Sequence, residues 1–236
     1  EEATWSIAGW RRNLHNGMNK SFFRLYDFGL IRGAEFSYDQ EAIAPLDDFK
    51  LISSLNYLEV ADTSRSDLFE KGKLLLISNK LHNESFDINL DMSPAGVSDW
   101  SFTRLTFSSS SQSPLLPNRP SFPINFRSQF FIGKIWSQDN KIPGHELFTL
   151  NGAGARDVYS NAYLRNATSL FGEQDLRKHY HLPGDLNVRG FSGSSLSGVE
   201  SGLSFVDELF IEREVGKFKF EFAAFYDYAY IYRRVW

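Results

Sequence analysis

Three groups of residues have types and spacings that bear on chemistry. His179 and His181 flank Tyr180 and put two imidazoles on one face of an extended segment, which is half of a metal site. No third ligand lies nearby in sequence, so an ordinary polar connection accounts for the pair. Asp87, Asn89 and Asp91 alternate in a second segment and offer three oxygen ligands. The glycine and distal glutamate of a calcium loop do not follow, so a hydrated strand face accounts for them. The chain carries no nucleophile elbow, phosphate loop or zinc-protease helix. It is therefore read as a non-enzyme, with no cofactor and no metal.

The third group is His181-Leu-Pro-Gly-Asp-Leu-Asn-Val-Arg-Gly-Phe-Ser-Gly193. Its Pro-Gly pair and later glycines are turn punctuation. Its Arg189 is the residue to explain: a guanidinium is always charged and offers a planar fork of donors. If buried, it must pair with a carboxylate or stay hydrated. Candidate acids on inward faces are Asp227, Glu221, Asp207 and Glu212, and Asp227 is the best placed. A bidentate pair would pin the loop, Gly190 would let the backbone approach a wall, and Phe191 would wedge against it. Spacing alone favours a simpler reading, an exposed arginine in a glycine-rich connection.

The elements that must position these residues read as strands. The 236 residues suffice for one large β domain spanning 1–236, and no linker marks a second. A net charge of −4 leaves no basic face for nucleic acid. Cysteine is absent, which excludes disulfides and thiolate chemistry. No stretch approaches the roughly 18 consecutive apolar residues of a membrane helix. The chain opens at Glu1 without a signal peptide and is taken as a mature or excised segment. Yet 22 Phe, 10 Tyr and 5 Trp accompany a mean hydropathy of −0.33. Transmembrane barrels combine these properties by alternating apolar-out with polar-in; a soluble β-sandwich is the competing class.

Along the chain, 5–14 and 21–38 read as strands around Asn16-Gly17, and Pro45-Leu-Asp-Asp48 as a turn. Strands follow over 49–60, 73–81 and 85–92. In the last of these Phe86, Ile88, Leu90 and Met92 face one way and Asp87, Asn89 and Asp91 the other. A strand over 100–107 leads to 108–123, whose four prolines and many serines predict a long exposed loop. Residues 126–136 predict a strand, 158–171 a strand or a short helix, and 202–215 and 217–232 two closing strands. The total is ten to twelve.

The closing strand is the strongest single signal. Phe218, Phe220, Phe222, Ala224, Tyr226, Tyr228, Tyr230 and Tyr232 share one face over roughly 50 Å of strand. A soluble sandwich would have to bury four tyrosine hydroxyls or expose them. A lipid face formed by Phe218, Phe220, Phe222, Tyr226 and Tyr228, grading from Phe to Tyr toward the interface, accounts for the order. Asp227 lies opposite, on the wet face.

Val188-Arg-Gly-Phe191 resembles the V-R-G-F/Y signature of the BamA/TamA/FhaC superfamily of outer-membrane assembly and secretion barrels, the bacterial surface antigen domains. Further motifs agree in order. Phe131-Ile-Gly-Lys134, Ile142-Pro-Gly-His-Glu-Leu-Phe148 and Asn151-Gly152 resemble the family's strand, P-x-x-E-x-F and G-G run. Glu208-Leu-Phe-Ile-Glu-Arg213 resembles its E-x-R strand, and Phe225-Tyr-Asp-Tyr-Ala229 its F-x-D-x-G strand. Ala153 and Ala229 stand where glycine is usual, and the spacing from Asn151 to the arginine is long.

The resemblance implies an antiparallel transmembrane β-barrel with an inward-folded arginine loop, and the strand count implies a segment of the family's sixteen strands. It implies that Arg189 contacts Asp227, with Glu212 as the second acid. It further implies assembly, insertion or translocation of proteins at the bacterial outer membrane. The implied partners are membrane lipid, client outer-membrane or secreted proteins, and periplasmic or lipoprotein subunits. Two other classes remain open: a barrel anchoring an enzymatic or binding domain outside the segment, and a passive pore.

Overall fold

The computed structural model describes residues 5–13, 19–27, 31–43, 46–60, 70–115, 124–139, 141–150, 185–189, 198–215 and 217–232. Side chains are described from residue 32 onward within these spans, apart from 41–47, 214–215 and 218–219. Among the described residues the fold is all-β. Ten strands form one antiparallel sheet: β1 (Trp5–Asn13), β2 (Asn19–Asp27), β3 (Ile31–Ile43), β4 (Leu46–Val60), β5 (Gly72–His82), β6 (Phe86–Ser93), β7 (Phe102–Pro114), β8 (Ile124–Ser137), β9 (Ser201–Val215) and β10 (Phe218–Tyr232). Each strand pairs with its neighbour in the chain, and the sheet is not closed by a β1–β10 ladder.

Period-2 alternation divides the sheet into two unlike faces. On β6, Asp91 is fully buried whereas Met92 is 37% exposed. On β7, Arg104 is buried and Leu105 exposed; on β9, Ser204 and Phe210 are buried and Phe205 and Leu209 exposed. One face is thus open and apolar, carrying Phe36, Leu55, Leu105, Ile132, Phe205 and Leu209. The other carries most of the buried charge and is covered by chain. In water, an antiparallel sheet with one free face shows the reverse polarity.

The covering chain is residues 141–150, 185–189 and 198–200. A short 3-10 turn, Gly144–Glu146, leads into Phe148, which is fully buried and meets Phe131 of β8 edge-on at 5.5 Å. Phe148 exchanges backbone hydrogen bonds with Val199, while the Leu186 and Val188 amides donate to the Thr149 and Leu150 carbonyls. These backbone groups are therefore satisfied away from solvent, as burial requires. Leu58, Leu74, Trp100, Phe102 and Ile135 complete a core beneath them.

Three expectations change. Residues 108–114 are not loop: β7 runs to Pro114, and Ser108–Ser113 pair with Phe131–Phe126 of β8. Prolines enter only at 114, so every preceding amide can still join the ladder, and serine's weak strand preference yields to the partner strand. The predicted strand over 21–38 is two strands, with Asp27 opposite Arg32. Leu46 to Asp48 belong to β4 rather than to a turn. The Asn16-Gly17 turn and residues 158–171 lie outside the described residues.

Candidate functional site

Residues 185–189 lie along the covered face and touch four consecutive strands. The Ser204 hydroxyl of β9 donates to the Leu186 carbonyl at 2.6 Å. Asn187 has φ 51°, a left-handed conformation that asparagine tolerates better than most residues. Its side-chain amide donates to Gln129 of β8 at 2.6 Å. Two glycines leave space on the covered face of the sheet. Gly133 and Gly202 face each other across β8 and β9. A Cβ on Gly133 would stand 2.7 Å from the Phe148 ring, and one on Gly202 2.7 Å from Leu186 Cδ2.

Arg189 ends this run. Its backbone N–H donates to Asp227 Oδ2 at 2.7 Å; Nε donates to the same oxygen at 3.0 Å and Nη2 to Oδ1 at 2.7 Å. This is the fork-on-carboxylate geometry that gives arginine its advantage over lysine. Nη1 donates to Glu208 Oε2 at 2.5 Å. The guanidinium carbon sits 4.0 Å from the Phe225 ring centroid, within cation–π range. Glu208 in turn accepts from Arg127 Nη1 at 3.1 Å. Charges therefore alternate from β10 to β8 in the order Asp227, Arg189, Glu208, Arg127. Hydrogen bonding to Asp227, and less so to Glu208, raises the Arg189 pKa above its ordinary value against the opposing effect of burial.

Asp227 meets Arg189 as expected. The second acid is Glu208, not Glu212. Both point to the covered face of β9, but Glu212 lies four residues further along, about 13 Å at the strand rise. Glu221 is on the correct face of β10 yet six residues from Asp227. Asp207 points to the open face, where Ser128 donates to it at 2.7 Å; only its backbone carbonyl reaches Arg189 Nη2, at 3.5 Å. Alternation finds the face that carries Glu208, but choosing between acids on that face needs the register of β9 on β10. Gly190, Phe191, His179 and His181 lie outside the described residues. So does the side chain of Phe218.

Phe220, Phe222, Tyr226 and Tyr228 are 46%, 67%, 68% and 47% exposed on the open face of β10. Aromatic rings continue across that face. Phe205 stacks on Phe130 at 4.9 Å, Phe130 meets Phe107 at 5.9 Å, Phe107 meets Phe86 at 6.0 Å, and Phe86 meets Phe49 at 5.0 Å. The covered face holds a cavity of about 640 Å³ beside Asp185 and Asn187, lined by Lys80, Asn89, Thr106 and Ser108 among others. Among the described residues no group of three His, Asp or Glu side chains is arranged to hold a metal ion. No protein-family model matches the chain, and no curated protein matches it.

Proposed function

We propose that this chain forms much of the wall of an outer-membrane β-barrel that assembles, inserts or translocates other proteins at the bacterial outer membrane. One observation carries the reading. Arg189 is gripped by Asp227 and Glu208 on the polar face of a sheet whose opposite face is open and apolar. A charged segment held on one side and bare aromatic rings on the other suit a wall between an aqueous lumen and lipid. In this reading the run 185–189 is the inward-folded arginine loop, and Phe220, Phe222, Tyr226 and Tyr228 face acyl chains. The order of the short motifs around Val188-Arg-Gly-Phe191 supports the assembly or secretion role.

The mechanism follows from strand chemistry and requires no catalytic residue. An edge strand exposes unpaired N–H and C=O groups, and a client segment pairs with them by β-augmentation. The arginine segment braces the wall while an edge is open. A passive pore is less favoured, because residues 141–150, 185–189 and 198–200 bring a packed apolar core onto the lumenal face. Client proteins and periplasmic or lipoprotein subunits are the partners.

Two measurements test the reading. The chain lacks cysteine, so single cysteines at Leu105 and Phe205 can carry a fluorophore without background. Lipid-borne quenchers should reach both in reconstituted bilayers, while a label at Thr106 stays unquenched; equal quenching at all three positions refutes the membrane wall. Depleting the whole protein from its host should lower folded outer-membrane or secreted proteins. Unchanged levels of both would leave the wall and remove the assembly role.

A further inference from the structure

Arg104 is buried on β7 at 5% exposure, yet it is a full charge. It lies between two carboxylates from different parts of the chain. Nη1 donates to Asp91 of β6 at 3.3 Å, and Nη2 donates to Asp185 at 2.8 Å. Its guanidinium carbon is 4.5 Å from the Phe148 ring centroid. Asp185 is engaged further: its Oδ2 accepts from the Thr149 amide at 2.9 Å, and its own amide donates to Thr149 Oγ1 at 3.1 Å. Asp185 lies four residues before Arg189.

We propose that Arg104 is a second positioning residue for the arginine segment, so that residues 185–189 form a strap anchored at both ends. One end is Asp185 on Arg104 of β7. The other is Arg189 on Asp227 of β10 and Glu208 of β9. The dimensions agree. Four residue steps cover at most about 13 Å, less with Asn187 left-handed, and β7 and β10 stand three strand spacings, about 14 Å, apart. The arginine side chain supplies the remaining reach. Between the anchors, Leu186 and Asn187 are tied to β9 and β8. The strap thus touches β7, β8, β9 and β10.

The two anchors differ in exposure. The Arg189 side chain is 29% exposed and that of Arg104 6%. Breaking the Asp185 contact leaves Arg104 buried with Asp91 alone, and partly uncompensated buried charge is costly. The carboxylates reverse the order, Asp227 being 6% and Asp185 27% exposed, so each anchor buries one charge that release would leave partly uncompensated. This holds whether or not the sheet encloses a lumen that handles clients.

Trypsin cleavage after Arg189, followed by mass spectrometry on the folded full-length protein, reads the strap directly. Asp185→Asn should raise the cleavage rate on the order of tenfold, the size expected for losing a charge-assisted hydrogen bond. Asp227→Asn should do the same, and the double variant should multiply the two factors. Arg104→Gln should match Asp185→Asn, and Arg104→Lys, which keeps the charge but loses the fork, should fall between it and wild type. Amide exchange in β4 and β5 should stay unchanged throughout. An unchanged rate in Asp185→Asn overturns the second anchor, as does a double variant no faster than Asp227→Asn. Exchange rising equally across β4 and β5 would mean general loosening and overturns it too.

Discussion

Gly133 of β8 and Gly202 of β9 are direct cross-strand partners, and each leaves space that a side chain from the covering segments fills: the Phe148 ring over one, Leu186 over the other. The pair forms a shallow floor in the sheet. Without it, residues 148 and 186 would stand off the sheet by the thickness of a methyl group. The Leu186 carbonyl would lose its bond from Ser204, and Arg189 would be displaced from Asp227.

Gly133→Ala and Gly202→Ala should each destabilise the fold by about 1–3 kcal/mol, the usual cost of overpacking. Leu186→Ala should partly restore Gly202→Ala, because it clears the clashing methyl, and should leave Gly133→Ala unrelieved. Denaturant unfolding of the four variants measures this. Equal rescue of both glycine variants by Leu186→Ala would contradict the floor.

Arg189→Lys keeps a charge but cannot place two donors on Asp227 and a third on Glu208. It should weaken the segment's attachment by about 1.5–3 kcal/mol, read as faster amide exchange at Leu186 and Val188. The pH dependence separates the two cations. Hydrogen bonding to Asp227 raises the folded-state pKa of Arg189 above the ordinary arginine value. A raised cationic pKa contributes stability that is fully present below the unfolded value and lost only as pH rises through the folded one. Protection in the wild type should therefore be flat from pH 7 to about 10.5. The Lys variant should lose protection toward the top of that range, where lysine ordinarily titrates. A parallel loss in both proteins would place the titrating group elsewhere.

On the open face, Phe205→Arg should cost about 2–4 kcal/mol in lipid if the site lies near the bilayer midplane, and less nearer an interface. The same charge in detergent-free water would be neutral or helpful on an exposed face. Comparing refolding yields into vesicles of the wild type, Phe205→Arg and Leu209→Arg tests the membrane assignment. Yields that do not fall for either variant would count against it.

Phe130 and Phe205 lie 4.9 Å apart on adjacent strands. A double-mutant cycle to Leu at both positions should return a coupling of about 0.5–1.5 kcal/mol. Zero coupling would mean that the rings share a surface without interacting.

Much of the architecture is legible in the order of residue types. Alternation of Phe86, Ile88, Leu90 and Met92 with Asp87, Asn89 and Asp91 separates the faces of β6, because strand side chains alternate strictly. The same rule puts Asp227 opposite the aromatic row of β10. A period of two says which face a residue is on, but not how far along a neighbouring strand its partner lies. Glu208 and Glu212 are equivalent by that rule, and the ladder that sets Phe225 against Glu208 and Asp227 against Val206 decides between them. The Ser108–Ser113 strand was hidden for a related reason: serine joins a ladder when a partner strand is supplied, and only the fold supplies β8.

Arg189 stood out in its own segment, but spacing alone favoured an exposed arginine, and it was the order of motifs around it that pointed to a carboxylate partner. Arg104 did not stand out. It sits in an unremarkable strand, and its partners Asp91 and Asp185 lie 13 and 81 residues away. The sequence by itself determined the strand period, the two unlike faces and the requirement that Arg189, if buried, find carboxylates to neutralise it. Only the tertiary structure decided which carboxylates do so and that the segment is held at both ends. Charge pairing across a sheet depends on register and on chain brought in from elsewhere, and neither is encoded in local alternation.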